Sequence, residues 1–411
     1  MLYQLNFKAD KIDCTVNLPL SKSISNRLLI IKALSGEKMV SAGISDSDDT
    51  QVLCRGLRTK SETVDVGHAG TSMRFLTAYF AATAQVKTIT GSARMQERPI
   101  RDLIDALNQL GADIRYLAKE GFPPVQTSGK QLSGNAVHIN GNISSQFVTA
   151  LLLIAPVLPH GLTIHINGEL VSESYVKMTL ELMQQARVSA KIDQQTIAVA
   201  AQKYNATGIE CERDWSAASY WYEIAALANN ANIQLPGITC DSLQGDAVTA
   251  RLFAQLGVET VFYKGGALLR KWQPQPLSRF EFDFINAPDI AQTVAVCLCM
   301  KNIPFRLTGL KTLRIKETDR IAALQNELEK FGFSVKEPQT GVIEWDGERR
   351  SPQKEISIAT YHDHRMAMAF APAAIVFPGI GIENPNVVSK SYPQFWKTLE
   401  GAGYLITAKN D

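Results

Sequence analysis

Residues 109–114 read "QLGADI", and three later stretches share the build: "QLGVET" at 255–260, "KFGFSV" at 330–335 and "GAGYLI" at 401–406. Each closes a polar, helix-like run and leads into residues suited to a strand. A glycine at such a junction supplies the left-handed turn that ends a helix, because it has no Cβ to clash there. Gly111, Gly257, Gly332 and Gly403 therefore predict four helices that pass directly into strands.

Ahead of these helices stands a second kind of segment, with a polar or glycine-containing start and then small and apolar residues. Its copies are "SKSISNRLLIIKAL" from Ser21, "GTSMRFLTAYFAAT" from Gly70, "SSQFVTALLLIAPVL" from Ser144, "SAASYWYEIAALA" from Ser216, "PDIAQTVAVCLCM" from Pro288 and "DHRMAMAFAPAAIV" from Asp363. Their starts are 49, 74, 72, 72 and 75 residues apart. Between them lie β-branched runs such as "NAVHINGN" (135–142) and "GLTIHINGEL" (161–170). The spacing predicts an α/β chain of six repeats, each about 72 residues with two helices and several strands. The apolar first helix of each repeat is the buried one, and the amphipathic second helix covers it. The first repeat is about 25 residues short, the length of one β-hairpin.

A chain of 411 residues is long for a single core, which favours two domains. A net charge of +2 excludes a broad basic surface for nucleic acid. The opening "MLYQLNFKADKIDC" alternates like a strand and has no apolar core of signal-peptide length. The most apolar stretch, "MAMAFAPAAIVFPGIGI" (366–382), is broken by Pro372, Pro378 and two glycines, so it reads as a buried helix and a turn rather than a membrane span. The six cysteines form no CxxC pair and no disulfide framework, and they read as small core residues in a reducing compartment. The expectation is a cytoplasmic protein with no membrane partner.

Cations cluster at the starts of the apolar helices. Lys22 and Arg27 stand in the first turns of a segment that Ser21, Ser23 or Ser25 can cap. "HAGTSMR" (68–74) sets Gly70 and Thr71 before Arg74, and "ARMQERPIRD" (93–102) puts Arg94, Arg98 and Arg101 around Pro99, a favoured first helical residue. "RIKETDR" (314–320), "HDHRMAM" (362–368) and "SKSYP" (389–393) add Lys316, Arg320, His362, His364, Arg365 and Lys390. Taken singly, such stretches describe solvated, ion-paired helix faces or capping residues. Recurring at equivalent places in several repeats, they describe an anion site. A helix N-terminus is already electropositive, and added cations there call for a negative ligand as counter-charge. Glu317 or Asp289 then stands ready for proton transfer.

In this order, "LPLSKSISNR", "AGTSMR", "RMQERPI", "SSQFVTALL", "LVSESY", "QGD", "PDIA", "KETDR" and "DHRMAM" resemble the motifs of the 5-enolpyruvylshikimate-3-phosphate synthases, over nearly the whole chain. The resemblance implies a two-domain inside-out α/β barrel of six βαβαββ repeats, three per domain, with the active site in the cleft between the domains. One domain would span 20–212, and 1–19 with 213–411 would form the other. The implied reaction moves the enolpyruvyl group of phosphoenolpyruvate to the 5-hydroxyl of shikimate 3-phosphate and releases phosphate. Ser23, Arg27, Ser144, Ser145, Ser172, Thr312 and Lys316 would hold shikimate 3-phosphate, with Tyr175 against its ring. Lys22 and Gln146 would touch both substrates, and Lys22 would also be catalytic. Gly70, Arg98, Arg320, Arg365 and Lys390 would hold phosphoenolpyruvate. Asp289 would be the base on the 5-hydroxyl, and Glu317 the acid at the methylene carbon. The resemblance implies no metal or organic cofactor, a monomer, and inhibition by glyphosate in competition with phosphoenolpyruvate.

Two positions depart from the family pattern: His68 and Thr312 each stand where asparagine is usual. Two other readings use the same scaffold. An enolpyruvyl transferase acting on UDP-N-acetylglucosamine would carry a reactive cysteine in the stretch "LAKEGFPPVQTSGK" (117–130), which has none. A non-catalytic anion-binding protein would lack Asp289 or Glu317, and both are present.

Overall fold

The computed structural model describes residues 1–37 and 43–409. The chain divides into two compact units, Leu20–Cys211 and Met1–Pro19 with Glu212–Asp411.

Among the described residues, five four-stranded sheets share one strand order. In each, two parallel strands are followed by an antiparallel neighbour and then an antiparallel edge. In the Leu20–Cys211 unit the first sheet runs Thr63–Asp65, Val86–Thr90, Val125–Ser128, Ile114–Tyr116. The second runs Ala136–Asn140, Leu162–Asn167, Thr196–Val199, Lys191–Asp193. The other unit has three. One runs Lys11–Thr15, Asn230–Pro236, Gly266–Lys271, Val258–Tyr263. The next runs Phe280–Asp283, Phe305–Thr308, Val342–Trp345, Lys336–Gln339. The last runs Ser357–Ile358, Ile380–Glu383, Leu2–Phe7, Tyr404–Lys409, so the chain's first strand pairs with its last, Leu2 opposite Lys409.

The helix between the two parallel strands is the apolar one. Nine of the ten residues of Ser145–Ile154 are buried, and every residue of Ala291–Met300 is. The helix after the second strand is amphipathic: Arg101–Gln109 buries Leu103, Ile104, Ala106 and Leu107 and exposes the rest wholly or in part. Strands alternate buried and exposed along their length, as Ala136–Asn140 does, which is the pattern of a sheet packed on one face only. Gly111, Gly257, Gly332 and Gly403 adopt φ of +97°, +93°, +86° and +100°, so all four helix ends are left-handed as the sequence required.

Two expectations are corrected. The shortened first repeat is not among them: it holds the helices Lys22–Ser35 and Asp48–Arg58, and residues 38–42 between them lie outside the described residues. Pro99 is not the first helical residue: Ile100 is the cap of Arg101–Gln109, and Pro99 precedes it. Cys54, Cys297 and Cys299 are buried, but Cys240 is exposed. Among the described residues no helix is long and apolar enough to cross a membrane.

Candidate functional site

In the C-terminal unit the site is built from the starts of three helical segments. Pro288–Ile290 carries Asp289, the turn before Arg320–Lys330 carries Lys316 and Glu317, and His364–Phe370 opens with Asp363 as its cap. Arg320 lies at their centre with its side chain 2% exposed. Its Nη1 donates to Asp289 Oδ1 at 3.3 Å, its Nη2 to Glu317 Oε2 at 3.0 Å, and its Nε to Asp363 Oδ2 at 2.6 Å. Burial opposes this charge, but Asp363, Glu317 and Asp289 outweigh it and hold the guanidinium above its ordinary range. Arg365 Nη2 reaches Asp289 Oδ2 at 2.8 Å, Lys316 Nζ lies 3.8 Å from Asp289 Oδ1, and Lys390 Nζ lies 2.9 Å from Glu317 Oε1. Lys390 ends the short helix Pro385–Lys390 and is buried. Four cations thus converge on the two carboxylates expected to transfer protons. Thr312 lies in the one-turn helix Lys311–Ile315 that leads to this group.

In the Leu20–Cys211 unit, Ser21 is the cap of Lys22–Ser35, its Oγ accepting from Ile24 N at 3.4 Å. Lys22 Nζ pairs with Asp49 Oδ2 at 3.3 Å. Asp49 thus supplies a counter-charge for Lys22 within the protein. Arg27 differs. It is 4% exposed, and its donors go to Thr179 Oγ1 at 2.8 Å, Ser23 O at 2.7 Å, Tyr175 O at 3.2 Å and Thr149 Oγ1 at 3.5 Å. It also lies over the rings of Phe75 and Tyr175. All four acceptors are neutral, and burial lowers its pKa to about 10. Four of its five N–H groups are spent on these partners, which leaves one for a ligand.

Ser144 caps Ser145–Ile154 by accepting from Gln146 N at 3.3 Å, and Ser172 caps Glu173–Gln185 in a left-handed conformation (φ +56°). These caps place Ser144, Ser145, Gln146, Ser172 and Tyr175 at helix starts, the electropositive ends of their helices. Gly70 opens the helix Gly70–Ala82, and a Cβ there would lie 2.7 Å from both terminal nitrogens of Arg98. Only glycine lets that guanidinium lie flat against the helix start. Arg74, Arg94 and Arg101 serve other ends: Arg74 is buried on the carbonyls of Gly70 and Pro99, while Arg94 and Arg101 form exposed pairs with Glu97 and Glu120.

The pattern reading missed the acids Asp49, Asp246 and Asp363. Asp363 is fully buried and receives both Arg320 and the backbone N–H of Arg365. Its place directly ahead of an apolar run is a helix-cap signal that could have revealed it. Asp246 accepts a short bond from Ser216 Oγ, and burial, then the charge of Asp289, pushes its pKa up to about 7 against Arg365 and Ser216. Of the "HDH" histidines, His364 is buried and His362 exposed, so the two do not converge.

Residues 55–399 match the model of the EPSP synthase (3-phosphoshikimate 1-carboxyvinyltransferase) family. The chain is 49% identical over 397 residues to a 3-phosphoshikimate 1-carboxyvinyltransferase of Bacteroides fragilis, covering 96% of this chain and 97% of that one. It is 36% identical over 418 residues to one of Shewanella loihica, covering 94% and 96%. In fold it is similar to a solved EPSP synthase of Acinetobacter baumannii, with a TM-score of 0.73, 19% identity, and 99% and 100% of the two chains covered. The chain belongs to the EPSP synthase family, the 3-phosphoshikimate 1-carboxyvinyltransferases.

Proposed function

We infer that this chain transfers the enolpyruvyl group of phosphoenolpyruvate to the 5-hydroxyl of shikimate 3-phosphate, a step of the shikimate pathway. The observation that carries the residue roles is Arg320, whose one guanidinium reaches both Asp289 and Glu317. Asp289 takes the proton of the 5-hydroxyl as that oxygen bonds to the central carbon of phosphoenolpyruvate. Glu317 gives a proton to the methylene carbon. A methyl proton is then removed, the bond to the phosphate oxygen breaks, and phosphate leaves. Arg320, Arg365, Lys390, Arg98 and Lys22 stabilise the charge on phosphoenolpyruvate and on the departing phosphate. Ser23, Ser144, Ser145, Ser172, Tyr175, Gln146, Thr312 and Lys316 hold shikimate 3-phosphate, with Arg27 giving mainly its field and one N–H.

The two units act as two domains, 20–212 and 1–19 with 213–411, and the substrates bind in the cleft between them. The five like-built sheets support a six-repeat inside-out barrel plan, three repeats to a domain, with the first repeat shortened. The enzyme works as a cytoplasmic monomer and needs no cofactor. The test is phosphate release from phosphoenolpyruvate with shikimate 3-phosphate and, separately, with UDP-N-acetylglucosamine. Release is expected only with the first; release only with the second would overturn the assignment.

A further inference from the structure

Arg365 follows a turn that has no local reason to exist. Tyr361 and His362 stand in succession at φ +53° and +56°, a region that side chains other than glycine rarely enter. The turn is closed by Asp363 N donating to Thr360 O at 2.8 Å. Something outside the turn must hold it.

That restraint is the helix Arg320–Lys330, which grips the segment at two points. At one end Arg320 binds Asp363 through Nε at 2.6 Å and Nη2 at 3.2 Å. Seven residues on, at the same helix face and about 10 Å along the axis, Glu327 is buried with its side chain 1% exposed. Its Oε1 accepts from Tyr361 Oη at 2.8 Å, and its Oε2 from Ala359 N at 3.1 Å. Lys330 Nζ neutralises it at 2.6 Å and donates also to Ser357 O at 2.7 Å, which ties the preceding strand to the same point. The chain from Ser357 to Asp363 is thus stretched along one helix, with the left-handed pair between the two fixings. Arg365 emerges directly beyond it and reaches Asp289.

We propose that Glu327 is a positioning residue, whose carboxylate holds the Ala359–His362 turn in the conformation that delivers Arg365 and Asp363 to the anion site. The role rests on the enolpyruvyl-transfer reading above. Glu327 itself acts only through the turn, so its loss should fall on the substrate that Arg365 holds.

The experiment measures KM for each substrate in wild type, Glu327→Ala, Glu327→Gln and Tyr361→Phe. Losing the buried acceptor in Glu327→Ala is expected to raise KM for phosphoenolpyruvate about tenfold, as one hydrogen-bonded charge is worth. KM for shikimate 3-phosphate is expected to stay within about twofold, since Arg365 meets that substrate only through Asp289. Glu327→Gln keeps the shape and one acceptor, and it should recover most of the loss. Tyr361→Phe removes a single hydrogen bond without a cavity, and it should still give a rise of about two- to fivefold confined to phosphoenolpyruvate. It also decides the matter should Glu327→Ala not fold. Equal rises for both substrates, or an unchanged KM for phosphoenolpyruvate in Tyr361→Phe, would overturn the role. A wild type that releases no phosphate would overturn the activity itself, whereas an active wild type with unshifted variants overturns the role alone.

Discussion

Glu317 accepts from both Arg320 at 3.0 Å and Lys390 at 2.9 Å, the contacts of a carboxylate among cations. Under the proposed roles, the phosphate and carboxylate of phosphoenolpyruvate would compete for those cations, and Glu317 would yield them as it acts as an acid. Glu317→Gln keeps the shape and loses the proton, so it is expected to bind both substrates and turn over about a hundred- to ten-thousand-fold more slowly. Equilibrium binding beside single-turnover kinetics checks this; near-normal turnover would pass the role to another group. At Gly70 the outcome follows from sterics. A methyl group there must push the Arg98 guanidinium away, so Gly70→Ala is expected to weaken phosphoenolpyruvate and to weaken glyphosate, the longer molecule, more. Comparing KM with the inhibition constant checks it, and equal losses would contradict it. Most of the site's cations were legible in the sequence because each stands in a short motif at a helix start. Of their acids, Asp289 and Glu317 were legible, but Asp363 and Asp49 were not. Arg320 and Asp363 are 43 positions apart and Lys22 and Asp49 are 27, and such pairings follow from the fold rather than from local spacing.

The helix Trp215–Leu227 holds an element-scale cost. Glu223 lies in its middle, fully buried, with no hydrogen-bond partner for either carboxylate oxygen among the described residues. Burial pushes its carboxyl well above the ordinary carboxylate range. The folded chain therefore keeps a proton that the unfolded chain releases above pH ~4.3, and stability falls with rising pH until the folded group also ionises. Glu223→Gln removes that dependence. Its advantage over wild type in urea unfolding is expected to widen between pH 5 and pH 8, by up to about 1.4 kcal/mol per pH unit. A constant gap would contradict this account. Helix ends were the most legible elements: the four glycines act where the sequence put them and Ser21 is one of the three serines it offered as a cap, since a cap depends on its neighbours alone. Pro99 misled because Ile100, at φ −138°, is the cap and the helix starts at Arg101, two residues after Pro99, which a preference for first helical positions does not encode. The common build of the five sheets was legible only as spacing, since strand order depends on pairings across 40 residues or more, such as Lys87 with Thr127.

At the scale of the molecule, the proposed division of labour sets Lys22, Arg27 and Arg98 in one unit and Lys316, Arg320, Arg365 and Lys390 in the other. Gathering these cations in a partly dry cleft without an anion costs electrostatic energy. Shikimate 3-phosphate brings a phosphate and a carboxylate, and under the proposed reading it would supply the differential binding that closure requires. The radius of gyration from small-angle scattering is expected to fall when it binds, and to fall much less with shikimate; binding with no fall would contradict the closing cleft. The central claim, that paired units move one enolpyruvyl group between two phosphorylated substrates, is tested most directly by phosphorus NMR of a single mixture. With enzyme, phosphoenolpyruvate and shikimate 3-phosphate, the phosphoenolpyruvate signal should be replaced by inorganic phosphate while the shikimate 3-phosphate signal shifts in equal amount to that of the enolpyruvyl product. Phosphate appearing while shikimate 3-phosphate stays unchanged, or no phosphate at all, would contradict it.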